Sequence, residues 1–247
     1  MMKTRFASFS ILFFSFFILF NVHFADKKVL IFCKTAGFHH ASIPAGIKAI
    51  QELGKQHNFL VDTTTNGELF TAANLKQYAA VIFLSTTGDV LNADQQKAFE
   101  SYIKSGGGFI GVHAATDTEY DWPWYGNLVG AWFKSHPSQQ TAALVVVDQK
   151  SIATKHLPAR WERKDEWYNF KWMTAEKLNV LIKIDEKSYS PGDGAMGDNH
   201  PMSWYHDFDG GRSFYTELGH TDESWSDPLY LQHLLGGIEY AMGKKME

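Results

Sequence analysis

Histidine exchanges a proton near neutral pH and, once neutral, binds divalent metals through a ring nitrogen. This chain places several of its 11 histidines just beyond strand-like segments. Gly106-Gly107-Gly108-Phe109-Ile110-Gly111-Val112-His113-Ala114-Ala115-Thr116-Asp117-Thr118 reads as a glycine turn, a short buried strand and a histidine at the strand's end. Gly111 and Ala115 flank His113 as small residues flank the nucleophile of a strand-to-helix elbow, but the elbow residue is His rather than Ser or Cys. An earlier strand runs into Thr35-Ala36-Gly37-Phe38-His39-His40, and a late one into Gly219-His220. We expect His39, His113 and His220 to converge if their strands are neighbours in one parallel sheet, with one of His39 and His40 facing solvent. Ligands in open α/β sheets bind beyond the carboxyl ends of strands, the rim these histidines share.

Such histidines serve as base, acid or metal ligand. His136, and Glu166 in Lys164-Asp165-Glu166-Trp167-Tyr168, complete the expected set. Compact ligand spacing such as His-Glu-x-x-His is absent from these segments, so acid–base use and a divalent metal on His39, His113 and His220 both stay open. Structural alternatives stand beside these. His113 is either a site residue or a hydrogen-bonded core histidine, Asp117 a site residue or a turn cap, and Arg212 a substrate contact or half of an ion pair. His200 and His206 fall on a hairpin with either face open to them, while His57, His156 and His233 carry no case.

The elements that must hold these residues alternate between strand and helix. Val29–Cys33, Phe59–Thr63 and Ala79–Leu84 are strand-like runs. Ser42 is placed to cap a helix with Pro44 in its first turn and Ile43, Ile47, Ile50 and Leu53 on its buried stripe. Asn92 opens another helix, with Phe99 and Ile103 inward, and the triple glycine stops it. This alternation predicts a doubly wound α/β fold. From Ala114 to Gln140 the pattern gives way to an apparent loop rich in aromatics, and loops of that length are usually functional. Leu144–Val147 and Val180–Ile184 read as strands, Met202–Phe208 and Arg212–Leu218 as a hairpin turning at Asp209-Gly210-Gly211, and Pro228–Met242 as a helix. Trp122, Trp124, Trp132, Trp167 and Trp225 fall in expected loops, where they either line a sugar-binding cleft or seal the end of the sheet.

The chain has 247 residues and a net charge of −4. Lys3 and Arg5 precede an uncharged apolar run, 9–20, too short for a comfortable membrane span, and Ala25 is a small residue suited to cleavage. We therefore expect residues 1–25 to be a secretory signal, a retained anchor being the alternative, and 26–247 to form one domain. Cleavage removes two basic residues and no acidic one, which deepens the negative balance and disfavours a nucleic-acid partner. A lone cysteine, Cys33, excludes an intramolecular disulfide and reads as a buried structural thiol.

The segments Thr35–Ile43, Gly106–Asp117, Gly130-Ala131-Trp132-Phe133 with His136-Pro137, Asp165–Tyr168, Pro201–His206 and Gly211–Tyr215 through Gly219-His220 together resemble the ThuA-like (trehalose utilisation) family of the class I glutamine amidotransferase-like superfamily. They are spread over nearly all of the chain beyond residue 25. The resemblance implies a flavodoxin-like layered sheet, mostly parallel and flanked by helices. It also implies a role in carbohydrate metabolism, with a link to sugar oxidoreductases that make 3-keto sugars. Glutaminase chemistry is not expected, because His113 stands where that superfamily's amidotransferases carry their nucleophilic Cys. The expectation is an exported, periplasmic or extracellular enzyme (lyase, hydrolase or isomerase) acting on a glycoside or a 3-keto sugar, with a non-catalytic carbohydrate-binding or accessory protein as the alternative. His113, Glu166, His220 and His39 are the expected catalytic residues. Tyr168, Arg212, Trp204, Trp124, Asp117 and His136 are the expected substrate contacts, and a divalent metal ion is the candidate cofactor. Ester or amide hydrolysis is disfavoured by the absence of Ser or Cys at the elbow.

Overall fold

A computed structural model describes residues 1–2, 27–173 and 178–247. The segment read as a leader lies outside the described residues apart from its first two. Among the described residues no helix is long and apolar enough to cross a membrane.

The chain runs β1 (Lys27–Phe32), α1 (Ile43–His57), β2 (Phe59–Thr64), α2 (Ala72–Leu75), β3 (Ala80–Leu84), α3 (Ala93–Lys104) and β4 (Gly108–Val112). It continues through α4 (Pro123–Val129), β5 (Ala131–Ser135), β6 (Gln140–Val146), β7 (Arg160–Asp165), β8 (Asn169–Met173) and β9 (Asn179–Ile184). The hairpin β10 (Pro201–Phe208) and β11 (Gly211–Thr216) and the helix α5 (Pro228–Ala241) end it. Nine strands form one sheet in the order β2-β1-β3-β4-β11-β10-β9-β6-β7, and β5 pairs with β8 in a separate ribbon. β2, β1, β3, β4 and β11 are mutually parallel, and β10, β9, β6 and β7 extend the sheet with alternating direction. This is the expected helix-flanked α/β architecture, with its parallel strands carrying the site.

Side-chain chemistry explains the centre of the sheet. β3 is apolar at every position and fully buried, as expected for a parallel strand covered on both faces. Val81, Ile82, Phe83 and Leu84 each contribute about 1.5–3 kcal/mol of burial. α1 lays Ile43, Ile50 and Leu53 inward, and left-handed Asn58 ends it. The hydroxyl of Ser42 makes no cap; it donates to the Gly219 carbonyl at 3.3 Å and ties the start of α1 to the loop after β11. α3 opens with a capping box between Asn92 and Gln95 and buries Phe99 and Ile103 completely. Gly108 must lack a side chain, because a Cβ there would run into the backbone of Ala241.

The stretch 114–140 is not a loop. It forms a 3-10 turn at His113–Thr116, then α4 and β5. Trp122 stacks on Trp124 and Tyr125, and all three lie in the aromatic layer that reaches Phe99 and Phe109. Trp167 is fully buried with its indole N–H on the Gln140 carbonyl, and Trp225 is nearly so, donating to Gly219. These indoles fill the core. Aromatic burial outweighed the polar spacing that makes the segment look like a loop. Cys33 is buried as expected, and burial pushes its thiol pKa up.

Candidate active site

Strand order determines what meets at the carboxyl rim. β1, β3, β4 and β11 are consecutive in the sheet, so the loops that follow them stand side by side. His113 occupies the elbow after β4 with φ +50°, a left-handed conformation uncommon outside glycine. Ser85, in register beside it after β3, is also left-handed, and its N–H donates to Val112. The small flanks have their physical reason: a Cβ on Gly111 would lie 3.0 Å from the Tyr215 ring and 3.2 Å from Ala115 Cβ. Tyr215 locks the turn by donating its hydroxyl proton to the His113 carbonyl at 2.8 Å.

His113 is completely buried. Its Nδ1 faces the Glu217 carbonyl at 2.8 Å, an acceptor only, so Nδ1 carries the proton and Nε2 keeps its lone pair. Nε2 lies 3.0 Å from His220 Nδ1 and 3.5 Å from Glu166 Oε2, and His220 Nδ1 lies 3.1 Å from the same carboxylate oxygen. His40 closes the cup, its ring edge-on to those of His113 and His220 at 4.8 and 5.2 Å. Its buried Nδ1 has no hydrogen-bond partner among the described residues. One donor atom from each of His40, His113, Glu166 and His220 falls within 4.8 Å of the other three. Tyr168 packs on His113 from the other side at 4.4 Å between ring centroids.

Burial and mutual charge decide the protonation of the cup. Burial drives the His40 pKa down to about 3, and the neighbouring His113 and His220 add to that. Burial alone would raise Glu166, but the adjacent His113 and His220 imidazoles win and hold it well below the usual carboxylate range. Burial disfavours the His220 cation, yet the Glu166 carboxylate outweighs it and raises the His220 pKa. The result is one carboxylate facing three imidazoles. Donors about 2.0–2.1 Å from a metal lie about 3.0 Å apart in octahedral and about 3.4 Å apart in tetrahedral geometry, and the triangle of His113, His220 and Glu166 has those edges. Nitrogen and carboxylate donors with one ring nitrogen unpartnered fit a divalent transition metal.

Several expected contacts lie elsewhere. His39, adjacent to the residue that enters the cup, is exposed and bonds Thr35 Oγ1 at 3.2 Å. The turn after β1 sends successive side chains in opposite directions, and His40 is the one directed inward. Trp204 is a core residue, fully buried with its indole N–H on the Val129 carbonyl. Arg212 opens β11 at the amino end, opposite the site, in a surface recess with Tyr205, Asp207 and Tyr240. Trp124 is also remote: it donates to Asp209 in the β10–β11 turn and packs on Phe208. Asp117 sits just after the elbow and accepts the Tyr120 hydroxyl at 2.6 Å, which makes it a turn anchor at the edge of the site. His136 does reach the site. Its Nδ1 lies 3.2 Å from Glu166 Oε1 and 2.9 Å from the Pro137 carbonyl, and its side chain is 41% exposed.

Three supporting residues were given no site role by the sequence. Buried Asp165 accepts the N–H groups of Gly219 and His220 at 3.2 Å each and pairs with Arg163 at 3.0 Å, so it sets the loop that carries His220. Buried Glu217 accepts the Tyr168 N–H through its side chain. His200 bonds the Tyr168 carbonyl with one nitrogen and Glu186 with the other, fixing Tyr168 from below.

A sequence model of the trehalose utilisation family (ThuA) matches residues 28–241. Similar solved structures include a ThuA-like protein from Bacteroides uniformis, with TM-score 0.73, 23% identity and coverage of 87% of this chain and 91% of that one. Another ThuA-like protein, from Parabacteroides merdae, has TM-score 0.74 and 20% identity, covering 90% and 91% of the two chains. A cytoplasmic protein from Salmonella typhimurium shares the fold at TM-score 0.61 and 10% identity, covering 86% and 98%. Comparison with curated protein sequences finds no match.

Proposed function

This chain belongs to the trehalose utilisation (ThuA) family, and on that premise we propose that it is an exported enzyme of carbohydrate metabolism acting on a glycoside or the 3-keto sugar made from one. The observation that carries this reading is the triangle of His113 Nε2, His220 Nδ1 and Glu166 Oε2, with edges of 3.0, 3.1 and 3.5 Å, its two histidines just beyond the carboxyl ends of parallel strands and its carboxylate just beyond β7. His40, His113, Glu166 and His220 would hold a divalent metal ion. Such an ion supplies Lewis-acid polarisation of a sugar carbonyl or hydroxyl oxygen.

The side chains divide the remaining work by exposure. His113 is fully buried and serves as a fixed wall of the cup, its tautomer set by the Glu217 carbonyl. His136 stands at the mouth. Both neighbours of its Nδ1 are acceptors, Glu166 Oε1 and the Pro137 carbonyl, so the proton resides there and Nε2 keeps a lone pair on a half-exposed ring. A keto group acidifies the adjacent C–H. His136 takes that proton, and the C–H electron pair moves into the carbonyl system as an enolate. The enolate either expels a substituent on the next carbon or regains a proton at a neighbouring atom, giving elimination or isomerisation. The Glu166 carboxylate stabilises the imidazolium formed on His136, and Tyr168 packs against both rings, at 5.9 Å from His136. Help of this kind contributes about 10²–10⁴-fold.

The charge pattern of residues 1–25 supports export, and a sugar oxidoreductase is the activity that would supply a keto substrate. The test is an NMR assay of the mature protein on glucosides and their 3-keto derivatives, with wild type and Glu166→Gln compared. Conversion by wild type and its loss in the variant support the proposal. Binding without conversion would instead favour a carbohydrate-binding protein.

A further inference from the structure

Among the Phe, Tyr and Trp side chains whose exposure the structure describes, Phe38 is the one exposed, 65% accessible where the others are buried or partly so. The remaining exposed apolar side chains beyond the first two methionines, such as Leu60 and Val147, are aliphatic. Phe38 also sits at a particular address. Its ring lies edge-on to His40 at 4.8 Å, and His40 lies edge-on to His113 and His220. It therefore stands on the rim of the cup.

Its exposure is built into the loop. The Ala36 N–H donates to the Thr87 carbonyl at 2.7 Å, and the Gly37 N–H reaches both the Thr87 carbonyl and its hydroxyl. Thr87 Oγ1 donates back to the Phe38 carbonyl at 2.8 Å. Just beyond, the Ile43 N–H bonds the His40 carbonyl, so the loop is pinned on both sides of Phe38. The backbone holds the ring outward beside a cup of polar donors, although the core contains many rings against which a phenyl group could pack.

We propose that Phe38 is the stacking platform for the substrate's sugar ring: the apolar C–H face of a pyranose lies on the phenyl face while its reacting end enters the cup. An aromatic face beside polar groups suits a ring with apolar faces and hydroxyl edges. The assignment rests on the carbohydrate reading above and adds the residue that binds and orients the ring. The sequence suggested tryptophans for this task, but Trp122, Trp167, Trp204 and Trp225 are buried in the core.

The test uses wild type, F38A, F38L, F38Y and F38W, with trehalose, methyl α-glucoside and their 3-keto derivatives as probes, read by calorimetry and steady-state kinetics. Melting curves should coincide, because an exposed side chain is changed. F38A and F38L should weaken affinity about three- to tenfold, the effect falling on KM with kcat held, while F38Y and F38W retain it. The indole emission of F38W should shift on addition of sugar. The assignment is overturned if wild type binds these sugars and F38A or F38L binds them equally well. It is also overturned if F38A changes only the association state in sedimentation, which would make Phe38 a contact between protein chains. If wild type binds none of the probes, the carbohydrate reading itself fails.

Discussion

His220 Nδ1 lies 3.0 Å from His113 Nε2 across 107 positions of sequence, and one oxygen of Glu166 lies within 3.5 Å of both nitrogens. Parallel pairing of β4 with β11 brings the two histidines together, and the end of β7 supplies the carboxylate. Three electron-rich atoms at these distances need a proton or a cation among them. Replacing one should disable the set without unfolding the protein. His113→Asn is the preferred variant, because Asn tolerates the left-handed backbone that the elbow requires. It should keep the far-UV spectrum of wild type and lose more than about 100-fold in turnover, since even residues that only orient metal ligands are worth about 10–100-fold.

Asp165 should matter as much through the loop it holds. It is buried, paired with Arg163, and bonded to the N–H groups of Gly219 and His220. Asp165→Ala leaves Arg163 with Asp227 as its remaining carboxylate and strips the Gly219 and His220 N–H groups of their acceptor, and should cost about 1–3 kcal/mol in urea unfolding. His220 ring signals in NMR should broaden at temperatures where the rest of the variant stays folded.

Much of this was legible in the residues. The apolar runs of β1 and β3, the helix start at Asn92 and the triple glycine placed the first strands of the sheet and the elbow at His113. The misses have physical reasons. β7 and β8 carry Arg160, Glu162, Arg163 and Asn169, so their alternation is weakly apolar and signals no strand. The choice between His39 and His40 depends on the turn that Thr87 pins, a contact between residues far apart in sequence. Arg212 and Trp124 look like binding residues by type, and only the direction of β11 shows that they stand at the opposite end of the sheet.

That geometry makes a control. Arg212→Ala and Trp124→Phe should leave turnover at the wild-type value, because the recess around Arg212 and the Trp124–Asp209 bond lie at the amino end of β11. A loss of activity with an unchanged melting curve would show that the active region reaches that end.

Acid should destabilise the fold through a histidine outside the cup. His233 is fully buried in α5, donates Nδ1–H to the Ala153 carbonyl and has its pKa driven down to about 3 by desolvation. The unfolded chain binds this proton near pH 6.5, while the folded chain resists it until about 3. Its contribution is therefore fully present above pH 6.5 and is lost progressively as pH falls toward 3. His233→Gln, which can keep the bond to Ala153, should flatten the plot of unfolding free energy against pH across that interval.

The most direct test of the central claim follows 3-keto-trehalose and 3-keto-glucosides by NMR with the purified protein, before and after a chelator, with zinc or manganese then restored. Conversion that stops with chelator and resumes with metal is the predicted result. No conversion of any keto sugar by folded, metal-supplied protein would contradict it.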